Sequence, residues 1–134
     1  MDAISHTDPF KLLIVDDEPD INELLSYNFR KRGFDVVTAC NGKVAMETLN
    51  GFLPDVIILD IMMPVMNGVA FCRELKSTHR YKDIPVLFLS ATSNDFLVDE
   101  ALQAGGMMYL SKPIQIGMLI KVVTEMKKGQ ATPQ

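Results

Sequence analysis

Five short strand-like runs recur along this 134-residue chain at near-regular intervals, and stretches whose apolar residues follow helical spacing separate them. The runs are 11–15, 35–39, 56–59, 86–89 and 107–110. Unbroken apolar runs of four or five residues fit strands buried on both faces, as in a parallel sheet sandwiched between helices. The stretches between supply the helices. Pro19 suits a first helical position, Ile21, Leu24, Leu25 and Phe29 share one face, and Gly33 ends the element. Ala45, Met46, Leu49 and Phe52 mark a second helix closed by Pro54, and Val69, Phe71, Cys72 and Leu75 a third that ends near Thr78. A fourth carries Leu97, Val98, Ala101 and Leu102 and stops at Gly105-Gly106. The fifth carries Leu119, Val122, Val123 and Met126 ahead of Lys127-Lys128-Gly129. Right-handed crossovers leave few topologies for such a series. The expected fold is α/β: a five-stranded parallel sheet in the flavodoxin-like order 2-1-3-4-5, with helices on both faces.

The length suits one domain, expected over residues 10–129, with a flexible segment at 1–9 and a tail or linker stub at 130–134. A composition 48% hydrophobic and 22% charged excludes disordered and fibrous classes. Net charge is −4 and the only basic run is Arg30-Lys31-Arg32, so no direct nucleic-acid surface is expected here. Cys40 and Cys72 stand among apolar neighbours without CxxC spacing and read as free, reduced core thiols. No apolar stretch nears the roughly 20 residues needed to span a bilayer, and the start lacks a signal-peptide pattern. The expected location is cytoplasmic, with no membrane partner.

Charged residues close three of the apolar runs: Asp16 and Asp17 the first, Asp60 the third, and Lys112 the fifth. Parallel strands bring their carboxyl ends to one edge of the sheet, so these four side chains can share a pocket. Singly, an acid at a strand end is usually a helix cap or loop residue; four chemically matched groups at three strand ends are a stronger signal. Three carboxylates so close repel one another and favour a cation. Magnesium takes hard oxygen ligands, and with one divalent ion and Lys112 the charges of the three acids sum to zero. Such a site can accept a phosphoryl group, whose transfer rests on positioning and neutralising its oxygens. Asp60, alone on the middle strand, is the plausible nucleophile.

Further residues sharpen this pattern. Leu59-Asp60-Ile61-Met62-Met63-Pro64 is followed by Asn67-Gly68, Ser90-Ala91 closes the fourth strand, and Tyr109-Leu110-Ser111-Lys112-Pro113 ends the fifth. In these motifs the chain, over about residues 11–126, resembles the receiver domain of two-component response regulators. The resemblance implies that Asp60 is the phosphoacceptor. It implies that Asp17, Asp60 and the backbone carbonyl of Met62 bind Mg2+ (or Mn2+), with Asp16 acting mostly through a metal-bound water. Ser90 and Lys112 would contact phosphoryl oxygens, Ser90 and Tyr109 would form a switch, and the Lys112–Pro113 bond would be cis. The implied partners are a sensor histidine kinase or phosphotransfer protein, a downstream protein or fused effector domain, and a second copy docked through the fourth helix, fifth strand and fifth helix. A receiver catalyses its own phosphorylation and dephosphorylation, with no separate substrate turnover, and Met62 and Thr92 would flank the water's route.

Plainer readings stand beside these. Ser90 could cap the next segment, with Thr92 a competing hydroxyl; Tyr109 could be half-buried packing; Lys112 could be a solvated charge. His6 and His79 have no partner ligands in the sequence and are poor metal or phosphate candidates. Departures from the family pattern are Gly105-Gly106-Met107-Met108 before the fifth strand, Ile114 after Lys112-Pro113, and Gly117 early in the last helix. Met107, Met108 and Met118 would fill core gaps if buried and form a docking patch if exposed. Among rival functions, a flavin-type cofactor binder needs a phosphate-cradling loop where Asp16-Asp17-Glu18 would repel phosphate. An aspartyl phosphatase would carry a second acid two residues after its nucleophile, where this chain has Met62. A phosphate-independent receiver acting as an interaction module is the remaining alternative. The sequence names neither an output segment nor a cognate kinase.

Overall fold

The computed structural model describes residues 8–131. Five strands and five helices alternate: β1 (Lys11–Val15), α1 (Pro19–Arg30), β2 (Asp35–Ala39), α2 (Gly42–Thr48), β3 (Val56–Leu59), α3 (Gly68–Ser77), β4 (Val86–Ser90), α4 (Asp95–Gln103), β5 (Met108–Ser111) and α5 (Ile116–Ala131). All strand pairs are parallel and the sheet order is β2-β1-β3-β4-β5, the order expected from the sequence.

Period-two alternation along each strand divides the core into two layers. Leu12, Ile14, Ile58 and Leu87 face Leu25, Phe29, Leu119 and Val123 of α1 and α5. Leu13, Val15, Leu59 and Phe88 face Ala45, Phe71, Leu75 and Ala101 of α2, α3 and α4. Register levels the carboxyl ends: Val15 stands beside both Ala39 and Leu59, Leu59 beside Phe88, and Ser90 beside Ser111. Residues following those positions therefore share one edge.

Local sequence starts and stops the helices. Asn41, Asn67 and Asn94 accept backbone N–H groups at the N-termini of α2, α3 and α4. Pro19 opens α1. Gly33 at φ +89 and Gly105 at φ +118 take the left-handed turns that end α1 and α4.

Several boundaries differ from the sequence reading. β4 extends to Ser90, and β5 is displaced by one residue because Met108, not Met107, pairs with Leu87. Backbone turns take over after Thr48, so Phe52 packs from beyond α2. α5 runs past Gly129 to Ala131, two residues beyond its expected stop. Leu24 and Leu102 lie on exposed faces of their helices rather than on the apolar stripe. Cys72 is buried, but Cys40 is exposed: it follows the last paired residue of the edge strand β2. Met107, Met108 and Met118 are all exposed. The expectations for residues 1–7, including His6, and for 132–134 fall outside the described residues; His79 is exposed on the α3–β4 connection. Among the described residues no helix is long and apolar enough to cross a membrane.

Candidate functional site

Asp16 leaves β1 with its backbone N–H still bonded to the Ala39 carbonyl at 3.1 Å, and Asp60 leaves β3 bonded to Val15 at 3.0 Å. The sheet ladder thus fixes both acids at the carboxyl edge, where both are buried. The Asn22 amide reaches back from α1 to the Asp16 carbonyl at 2.8 Å, a support the sequence reading missed. Asp17 is exposed beside them, and carboxylate oxygens of Asp16, Asp17 and Asp60 all lie within 4.8 Å of one another.

From β5, Lys112 enters the same space, its backbone N–H bonded to the Ser90 carbonyl at 2.9 Å. Its Nζ stands 2.8 Å from Asp16 Oδ2, 3.4 Å from Glu18 Oε1 and 3.5 Å from Asp60 Oδ2. The bond that follows, Lys112–Pro113, is cis. Ser90 Oγ donates to Asp60 Oδ1 at 2.7 Å, and the Met62 N–H approaches the same oxygen at 3.3 Å. The Met62 side chain is 59% exposed at the rim. Tyr109 stands one step back, its hydroxyl 2.8 Å from the Thr92 carbonyl and 3.1 Å from that of Ser90.

The backbone around Asp60 is tightly held. Gly68 donates to the Ile61 carbonyl at 2.9 Å. Its Cα lies so close that a Cβ would collide with the Asp60 carbonyl oxygen. Val65, in the same β3–α3 loop, sits at φ +71 and is 76% exposed, a conformation nothing in its side chain favours.

Burial pushes the Asp16 carboxyl above its ordinary value, only partly offset by the Lys112 hydrogen bond. For Lys112 burial acts downward, yet the hydrogen bond to Asp16 and the charges of Asp16, Asp60 and Glu18 outweigh it and hold the ammonium above its usual range. Burial also raises the Tyr109 hydroxyl.

The donor set suits a hard divalent cation. Three carboxylates within reach of one point offer only oxygen, and magnesium takes one or two carboxylates while keeping waters. Asp16, Asp17, Asp60, Ser90 and Lys112, separated widely in sequence, thus converge. Glu18 joins them unforeseen, because its position at the start of α1 gave no hint of a contact with Lys112. A groove of about 790 Å3 runs along α1 and β2 and meets this cluster only at Asp17.

A family model for the response regulator receiver domain matches residues 12–124. The transcriptional regulatory protein YrkP of Bacillus subtilis, itself uncharacterised, is 38% identical over 78% of this chain and 43% of its own length. The alkaline phosphatase synthesis transcriptional regulatory protein PhoP of the same organism is 37% identical over 77% and 42%. The match therefore covers less than half the length of either relative. The solved chemotaxis protein CheY4 of Vibrio cholerae superposes with a TM-score of 0.82 at 30% identity, covering 88% of this chain and 98% of that one.

Proposed function

This chain belongs to the family of response regulator receiver domains of two-component systems, and from that premise we propose that it takes a phosphoryl group from a sensor histidine kinase or phosphotransfer protein onto Asp60. The observation that carries the proposal is the convergence of Ser90 and Lys112 on the two carboxylate oxygens of Asp60 from different strands. One Asp60 oxygen forms the new P–O bond while the P–N bond of a phosphohistidine breaks, its electron pair remaining on the imidazole nitrogen. Ser90 and Lys112 then turn their donors from the carboxylate to phosphoryl oxygens. Asp17, Asp60 and the Met62 carbonyl are the proposed holders of Mg2+ or Mn2+, with Asp16 acting through a bound water; the ion would neutralise charge on the transferring group.

Added charge on Asp60 draws Ser90 inward. Tyr109 is placed to respond, because its hydroxyl rests on the carbonyls of Ser90 and Thr92 at the β4–α4 junction. The readout is a two-state shift of α4, β5 and α5. Exposed Leu102, Met108 and Met118 on these elements, with Met107 just before β5, support protein docking there, by a second copy or a downstream protein. Since the transcriptional regulators it resembles extend well beyond the matched segment, a fused effector domain is part of this reading, with any nucleic-acid contact made by that domain.

Intact-mass spectrometry after incubation with acetyl phosphate and magnesium tests the proposal. One phosphoryl adduct on the native chain, absent from Asp60→Asn and from a chelated sample, is the expected result. No adduct on the native chain would leave the phosphate-independent receiver as the better reading.

A further inference from the structure

Glu18 occupies the N-cap of α1, yet its side chain makes no hydrogen bond to that helix. Ser, Thr, Asp and Asn are the residues that cap well, and α2, α3 and α4 each use an asparagine that does. The Glu18 carboxylate turns instead to Lys112. An ammonium carries three N–H donors, and three carboxylates surround this one: Asp16 at 2.8 Å, Glu18 at 3.4 Å and Asp60 at 3.5 Å. The side chains of Asp16 and Asp60 are 4% and 6% exposed, whereas that of Glu18 is 58% exposed at the mouth.

A phosphoryl group on Asp60 brings oxygens that need a Lys112 donor, so one existing contact must be surrendered. Asp16 is close, buried and fixed by its backbone bonds; Glu18 is longer, exposed and free to leave. We propose that Glu18 is a positioning residue, holding Lys112 toward the mouth of the unphosphorylated site and slowing phosphoryl gain until that contact is released. This rests on the function proposed above. An ion pair with one exposed partner is weak, so Glu18→Gln should speed uptake roughly two- to fivefold.

The test follows adduct formation on the full chain by intact mass, with phosphoramidate and magnesium, in the native protein, Glu18→Gln, Lys112→Ala and the double variant. Faster uptake in Glu18→Gln, with the double variant no faster than Lys112→Ala, is expected. An equal gain in both backgrounds would mean that Glu18 merely repels the donor, and would overturn the proposal, as would no gain in the native background. In a second measurement on unphosphorylated protein, the 15N signal of the Lys112 ammonium should shift and broaden in Glu18→Gln but not in Glu23→Gln, on the same helix. An unmoved signal in Glu18→Gln also overturns it. Absence of any adduct on the native chain defeats the phosphoacceptor reading and this proposal together, an outcome distinct from uncoupled rates.

Discussion

Ser90 and Asp60 share a 2.7 Å hydrogen bond between buried side chains at the carboxyl ends of adjacent strands, so the hydroxyl already points at the oxygen pair where a phosphoryl group would sit. A donor to a charged acceptor contributes more than a neutral one. Ser90→Ala should slow phosphoryl gain about tenfold, and Ser90→Thr should restore most of the rate. Time courses of adduct formation check this; an unimpaired alanine variant would remove Ser90 from the mechanism.

Asp16 should set an acid-side pH dependence of stability. Its raised pKa means that the folded chain binds a proton more readily than the unfolded chain, so ionisation opposes folding above that value. As pH falls through the raised pKa toward 3.8, native protein regains this stability, whereas an asparagine has nothing to regain. Without divalent cations, Asp16→Asn should melt higher than native protein at pH 7, and the gap should close in acid. Lys112 acts at the other end: its contribution is complete below 10.5 and lost as pH rises through its higher folded value. Melting curves across pH, with and without magnesium, read both effects.

Two glycines should respond oppositely to alanine. At Gly68 a Cβ meets the Asp60 carbonyl oxygen and the Ile61 Cα, both backbone atoms that cannot yield without moving the acid. Gly68→Ala should cost ~3 kcal/mol or more in stability and disturb phosphoryl uptake as well. Nothing lies within 4 Å of a Cβ at Gly117 in α5, so Gly117→Ala should stabilise by roughly 0.5–1 kcal/mol. Denaturant midpoints of the two variants are the measurement.

Val65 stores strain in a loop beside the site. A β-branched residue at φ +71 is disfavoured. Val65→Gly should therefore raise stability by roughly 0.5–1 kcal/mol, after the added freedom of the unfolded chain is subtracted. A lower unfolding midpoint would show that the exposed side chain makes contacts worth more than the relief.

Met62 lies at the rim, its N–H directed to Asp60 and its side chain largely in solvent. It is placed to hinder water more than to aid transfer. Met62→Ala should quicken loss of the phosphoryl group by a factor of about two to five, an order set by small changes in barrier, while uptake stays near the native rate. Equal changes in both rates would refute this division.

The limits of β1, β2 and β3 were legible because turn residues, charges or Pro54 bound each run. β5 was less so: Met107-Met108-Tyr109-Leu110 contains no stop, and its register comes from Leu87 on β4. Helix stripes identify the buried side but not its margins, which is why Leu24 and Leu102 were misplaced. Gly129 failed to end α5, as a glycine costs a helix only about 1 kcal/mol. The apolar neighbours of Cys40 suggest a core thiol, but the position of β2 at the sheet edge leaves it exposed. The site acids and Lys112 were readable because strand ends impose a common location. The Glu18–Lys112 contact joins residues 94 positions apart, and no local pattern announces it. Positive φ at Val65 is equally silent, since valine is the wrong residue for it.

The pairing of Lys112 with Asp16 spans 96 positions and crosses from the last strand to the first. During synthesis the three acids therefore exist long before the cation that belongs among them, and they remain unbalanced until β5 has docked on β4. Completion of the site therefore requires the first and last strands to hold their places in one sheet.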